Sequence, residues 1–365
     1  TVGNVAGVVT ITAGDLGTIG AAYGVEVSAL PGGMTSITVA DGASGTGTPS
    51  VTDVMDLVGD IRYQGILWPN DLKASAATEV IDFLDARFNV SNDIQDGVVF
   101  VGYSDTLANT KTAVNALNSQ SAQYMGNAIT GTNALKKGPE VMHPADWIAA
   151  EFMAIRARRL TENASIGSAV AATASGDQFG GKALASLPYF NTPLIATPVT
   201  LSPNVFSQIE QTELNAAGFT VVGPNRPKTE TIMGAAVSTY KTDTSGNADV
   251  SYKYLNYIDT ASICREFFFV NLASLFNQSR LTDGDLLPNR SMENAPSIKG
   301  VVLSLFAVLK DAALIRKGRV ADKLISDSLT VTLDLANRKA TIASVLPIVT
   351  QLETINATLQ LTFEL

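Results

Sequence analysis

The sequence predicts a multidomain chain of α/β and α+β character, with mixed sheets flanked by helices, a β-rich N-terminal portion, a C-terminal β-hairpin and a terminal strand. Three observations carry this expectation. Strand-like and helix-like apolar patterns take turns between residues 51 and 200, the order expected of a parallel or mixed sheet covered by helices. Two long helical patterns then lead into a hairpin. Finally, the last eleven residues alternate apolar and polar without interruption.

Alternation through Gly7 to Thr12, Tyr23 to Leu30 and Met34 to Ala40 reads as short strands. From Asp41 to Ser50 the composition falls to Gly, Thr, Ser, Ala and Pro, which bury too little apolar surface to offset the entropy of ordering. A boundary is placed there, giving a β-rich segment with its linker over 1–50. An α/β domain is expected over 51–200 and an α+β domain over 201–365.

Within the second segment, Tyr63 to Trp68 is a short apolar run stopped by Pro69, and Val80, Ile81, Leu84 and Phe88 share one face of a helix over Ala74 to Phe88. Val98 to Tyr103 reads as a buried strand, Thr106 to Leu117 as a helix, and Gln123 to Ala128 as a third strand. A further helix begins near His143. The third segment opens with an acidic helix from Asn204 to Ala217, stopped by Gly218, and a hairpin-like stretch from Phe219 to Tyr240. Helices over Ile258 to Phe276 and Ile298 to Arg316 follow, and no helix is expected after them. Leu329, Val331, Leu333 and Leu335 form a strand, Asn337, Arg338 and Lys339 turn the chain, and Ala340 to Val345 return. At the end, Ile355, Ala357, Leu359, Leu361, Phe363 and Leu365 point one way, with polar partners on the other face. A terminal strand this regular pairs with its own sheet or with the open edge of a neighbouring molecule.

Composition narrows the function. With 46% hydrophobic residues the 365-residue chain is not disordered, and 34 acids against 25 bases give a formal charge of -9. The densest basic cluster, Arg156, Arg158 and Arg159, is short and set in an acidic background, so nucleic acid is not an expected partner. No run of 18 apolar residues opens a membrane span. Cys264 is the only cysteine and His143 the only histidine, which removes disulfides, cysteine and histidine zinc sites and most histidine-based triads. Cys264 lies in an apolar stretch and reads as core, and His143 as a loop residue before Pro144 at a helix start. Asn-x-Ser/Thr triplets, among them those at Asn89, Asn277 and Asn356, carry little weight without secretion.

Three motifs approach known chemistry and miss it. Gly176, Gly181 and Lys182 in SGDQFGGKA come near a phosphate-cradling loop, but Ala183 stands where the magnesium-binding hydroxyl is needed and Pro188 interrupts the helix. Asp243, Asn247 and Asp249 resemble calcium ligands, yet Gly246 is fourth and Tyr254 twelfth where an EF-hand needs a sixth-place Gly and a twelfth-place Glu. Asp283 and Asp285 form a carboxylate pair of the kind used in glycoside hydrolysis, without sugar-stacking aromatics, since Trp68 and Trp147 are the only tryptophans. No catalytic residue, cofactor or metal is expected.

Most of the chain resembles the contractile-tail sheath proteins of bacteriophages, in the Mu-like and large-myovirus branch. The resemblance starts with GVVTITAGDLGTIGAAYGVEV (Gly7 to Val27), where Ala21 replaces the usual Asn, and continues in the Pro144 to Ala150 helix and in IEQTELNAAGFTVV (Ile209 to Val222). Its strongest portion is VSTYKTDTSGNADVSYKYLN (Val237 to Asn256), in which Tyr240, Gly246, Asp249, Ser251 and Tyr252 fall in register with the family motif; Ala235 stands where an arginine is usual. The closing LETINATLQLTFEL resembles the family's terminal strand.

This resemblance implies a virion protein without chemistry. Such subunits stack as six-membered rings in a helical array around the tail tube, on a baseplate and beneath a terminator, and contract to drive the tube through the host envelope. It also implies that Ile355 to Leu365 form an inter-subunit arm completing a neighbour's sheet, and that the partners are other sheath subunits, the tube, baseplate and terminator proteins, with no nucleic acid and no membrane insertion. The family's N-terminal arm is expected upstream of Thr1, so that this chain alone associates weakly while a chain with both arms forms rings or tubes. Another tail or baseplate structural protein, or a nucleotide-binding α/β enzyme using SGDQFGGKA, are the alternative readings.

Overall fold

A computed structural model describes residues 2–5, 8–11, 51–58, 61–68, 74–88, 96–128, 145–163, 189–197, 205–225, 229–286 and 291–350. Its centre is a six-stranded mixed sheet in the order β3-β4-β5-β7-β8-β6, formed by β3 (Gly65–Trp68), β4 (Val98–Gly102), β5 (Ala122–Gly126), β6 (Pro193–Leu194), β7 (Phe219–Pro224) and β8 (Glu230–Met233). The first four strands in that order run parallel; β8 and then β6 pair antiparallel. The expected division at residue 200 falls inside this sheet, because β7 and β8 complete it beside β5.

The central strand β4 is buried along its whole length, so its VVFVG sequence is apolar on both faces rather than alternating. Val99 and Val101 face one core with Ala122, Tyr124, Phe219 and Val221, closed by α1 (Thr52–Val58), α2 (Ala74–Arg87), α3 (Leu107–Asn115) and α5 (Gln208–Ala217). Val98 and Phe100 face the second core with Met125 and Val222, covered by Ile148, Ala149 and Phe152 of α4 (Ala145–Asn163) and by the start of α6 (Leu255–Phe276). Helix ends are chemically marked. Thr106 caps α3 by accepting the Asn109 N–H, and Ser207 and Glu210 form a reciprocal capping box on α5, which Gly218 ends in the left-handed region at φ 93°.

The carboxyl ends of β4 and β5 are closed by backbone. A Cβ on Gly102 would lie 2.2 Å from the carbonyl carbon of Ala145, so only glycine lets the first turn of α4 rest on the strand. One buried ion pair fastens α6 beneath α4. Arg156 donates from Nε (2.9 Å) and Nη2 (2.7 Å) to Oδ1 of Asp259, and the Tyr189 hydroxyl donates to Oδ2 at 2.7 Å. Arg156 also donates to the Gln64 carbonyl at the foot of β3. Burial, and then the Asp259 charge, push the Tyr189 phenol well above its ordinary range, so it remains a donor.

Beyond Ser262 α6 enters a third core, made with α7 (Ala295–Asp311), α8 (Arg319–Ser328) and the antiparallel hairpin β11 (Thr330–Asp334) and β12 (Lys339–Ala343). Short strands β9 (Arg280–Leu281) and β10 (Met292–Glu293) pair between α6 and α7, and β1 (Val2–Val5) pairs with β2 (Val8–Ile11) near the start of the chain. The remaining strands expected before residue 50, and the linker over 41–50, lie outside the described residues.

Two expectations are corrected. Helices do not stop at Arg316: α7 ends at Asp311, where Ala313 turns at φ 58° and Leu314 and Ile315 fold back into the core, and α8 follows. The apolar spacing of Leu314 and Ile315 imitates a longer helix. Val320, Ala321, Leu324 and Ile325 lie on one side of α8, but the helix has only ten residues and buries only Ala321 and Ile325, leaving Val320 and Leu324 exposed. The short helix α1 is the second addition.

Gly102→Ala is expected to cost at least ~3 kcal/mol in chemical denaturation, because the clash is with backbone that cannot rotate away. Gly246→Ala, at φ 82° but with open space around it, is expected to cost about 1–2 kcal/mol.

Candidate functional site

The residues between Val237 and Asn256 fold into one strap. Val237 bridges Tyr254 and Thr242 bridges Ala248, with Gly246 at the turn. Asp243 Oδ1 accepts the N–H groups of Ser245 (2.9 Å) and Asn247 (2.8 Å), which makes this acidic stretch an Asx turn. The Tyr240 hydroxyl donates to Asp249 Oδ2 at 2.8 Å, while Asp249 Oδ1 accepts the N–H (2.8 Å) and the hydroxyl (2.7 Å) of Ser251. The Tyr252 ring meets Tyr240 edge-on at 5.6 Å and Phe88 at 5.2 Å. Tyr240, Asp249, Ser251 and Tyr252 are thus brought together, with Gly246 at the tip.

The base of the strap is sewn to the start of β5 and to β7. The Thr239 N–H donates to the Ala122 carbonyl (3.0 Å), the Thr239 hydroxyl to the Ser119 carbonyl (3.1 Å), and the Val237 N–H to Thr220 Oγ1 (2.9 Å). Lys241 Nζ reaches the carbonyls of Val114 (2.9 Å) and Leu117 (3.2 Å), neutralising the carboxyl end of α3. Desolvation lowers its pKa. The hydroxyl and N–H of Ser251 hold the Asp249 carboxyl below its ordinary value of 3.8, and desolvation followed by the bond to Asp249 raises the Tyr240 phenol. These groups satisfy one another and hold the loop in shape.

The other singled-out residues do not converge. Cys264 is buried, and desolvation pushes its thiol up to about 12, which suits core packing and not nucleophilic attack. Asp283 and Asp285 lie exposed around Gly284 in the turn after β9. Among the described residues no group of three or more His, Cys, Asp or Glu side chains gathers as a metal site, and no helix is long and apolar enough to cross a membrane. His143, the Gly176 to Ala183 loop, and the arm residues Ile355, Ala357, Leu359, Leu361, Phe363 and Leu365 lie outside the described residues.

Two exposed surfaces flank the third core. The hairpin β11–β12 turns Val331, Leu333, Ala340 and Ile342 onto the core and leaves Thr330, Thr332, Thr341 and Ala343 outward. Among the described residues each of its strands pairs only with the other. Ile348 bridges Ile315, and the Val349 N–H donates to the Leu314 carbonyl, which brings the last described residues alongside the α7–α8 turn. On α8, Arg319 and Lys323 flank the exposed Val320 and Leu324. Sequence reading missed this surface because the helix itself was not expected.

No protein-family model and no curated protein matches the chain. Solved structures similar to it include a sheath tail protein from Listeria innocua (11% identity, TM-score 0.49, covering 87% of this chain and 62% of that one). Another is a sheath tail protein from Desulfitobacterium hafniense (11% identity, TM-score 0.47, covering 87% and 65%). A third belongs to the baseplate of the anti-feeding prophage (14% identity, TM-score 0.47, covering 85% and 71%). The chain therefore spans less than two thirds of the length of both sheath tail proteins.

The depressed Asp249 pKa means that its stabilisation is present above the unfolded-state value and is lost as pH falls through the folded one. Acid titration of stability is expected to show this loss below about pH 4, and Asp249→Asn should remove that part of the pH dependence. Tyr240→Phe is expected to cost about 1 kcal/mol at neutral pH by denaturant titration.

Proposed function

We infer that the chain is a structural subunit of a contractile tail sheath in a phage or phage-like particle, polymerising as stacked six-membered rings around a tail tube. Its work is mechanical and needs no cofactor. The observation that carries this reading is the hairpin β11–β12, a two-stranded sheet with one face on the core and no further strand on either edge among the described residues. It is followed by the alternating sequence Ile355 to Leu365. An edge of this kind accepts a strand, and an alternating segment supplies one, so a ladder of main-chain bonds can join copies. The sequence resemblance around Tyr240 to Tyr252 supports the same assignment.

In this reading the arm residues Ile355, Ala357, Leu359, Leu361, Phe363 and Leu365 place their apolar faces on a neighbouring copy's third core. Backbone ladders tolerate rotation of the bodies they join, which fits a lattice that contracts while staying connected. Tube, baseplate and terminator proteins are the further partners, and the virion tail is the location.

Co-expression of the protein with its tube is expected to give long sheathed cylinders in electron micrographs, and deletion of residues 351–365 should leave bare tubes. Cylinders of undiminished length from the deleted protein would sink the strand-donation reading.

A further inference from the structure

Helix α6 changes core partway along its length. Its apolar side chains through Ile258 join the core under α4, and those from Ile263 onward join the third core. Among the described buried residues the two sheet-facing cores take no member after Ile258, and the third takes none before Ile263. A helix of 22 residues is about 33 Å long, so one rod belongs to two bodies. The crossing is polar: Asp259, Thr260 and Ser262 are buried there.

We propose that a charged clamp at this crossing, built by Arg62, Asp96, Ser262, Arg265 and Glu266 with Phe88 as its floor, fixes the angle between the sheet body and the distal body. Arg62, in the segment between α1 and β3, donates to Glu266 (Nη1, 2.8 Å), to the Ser262 hydroxyl (Nη2, 2.7 Å) and to the Asp96 carbonyl (Nε, 3.5 Å). Asp96, just before β4, receives Nη2 of Arg265. The Arg265 guanidinium lies 4.3 Å from the centre of the Phe88 ring, and Phe88 in turn meets Tyr252 of the strap.

The geometry is that of a brace. Two planar guanidinium groups, one from each side of the joint, share Asp96, so tilting or turning α6 breaks several directional bonds together. Asp96 is only 5% exposed, and separating it from Arg265 would leave a buried carboxylate facing no cation of the distal body. Beyond Glu266 the buried side of α6 meets only the third core among the described residues, which makes this turn the last place where the sheet can hold the rod. The inference concerns this chain alone and does not rest on the sheath reading.

The test is a distance distribution by pulsed electron paramagnetic resonance between spin labels at Thr112→Cys on α3 and Val320→Cys on α8, both exposed; the buried Cys264 is inaccessible to the label. The parent chain should give one narrow distribution. Arg265→Met and Arg62→Met should each broaden it roughly twofold or more, as expected when a braced joint becomes free to hinge, while Arg265→Lys should broaden it less. If Arg265→Met fails to fold, Arg62→Met decides, since it leaves Asp96 paired with Arg265. A width and mean unchanged in Arg62→Met, and in Arg265→Met where it folds, would overturn the proposal.

Discussion

The fold turns on a carboxylate sealed from solvent. Asp259 is wholly buried, and it is held by Arg156 from α4 and by the hydroxyl of Tyr189. Arg156 also serves the Gln64 carbonyl, so one interaction registers α4, the edge of the sheet and the root of α6. A buried ion pair contributes little net stability beside an apolar pair of the same volume, because desolvation offsets most of the attraction. Its effect is directional: a charge at Asp259 tolerates one arrangement of its neighbours, whereas a leucine would tolerate several. The core under α4 and the third core around α7 both take side chains from the helix that this residue pins.

What could be read in the sequence was what local chemistry determines. The all-apolar run of β4, the Val80, Ile81 and Leu84 face of α2 and the Gly218 stop all act within a few residues, and each is found in place. Helix α8 was missed although Val320, Ala321, Leu324 and Ile325 share one side of it, because the pattern fills only ten residues immediately before the strand that begins at Thr330. In α7 the spacing of Leu314 and Ile315 continued the helical pattern through a turn that only the positive φ of Ala313 reveals.

The strap shows the same division. Tyr240, Gly246, Asp249, Ser251 and Tyr252 lie within thirteen positions, and their spacing carried a recognisable pattern. Their attachment to Ala122, Ser119 and Thr220 could not be read, because the first two contacts join segments more than a hundred residues apart, the third spans 17 residues, and each uses a commonplace threonine or serine. The arginines around Asp96 were invisible for that reason too: nothing near Arg62 in the sequence distinguishes it from a surface cation.

Helix α6 acts as a lever arm. From Arg265 to Phe276 it projects roughly 16 Å past its last anchor on the sheet, at 1.5 Å per residue. Each degree of tilt at that anchor then carries the far tip by about 0.3 Å, and ten degrees by nearly 3 Å, most of the spacing between adjacent strands. Side-chain geometry within a single helical turn is thereby amplified into the reach of the third core.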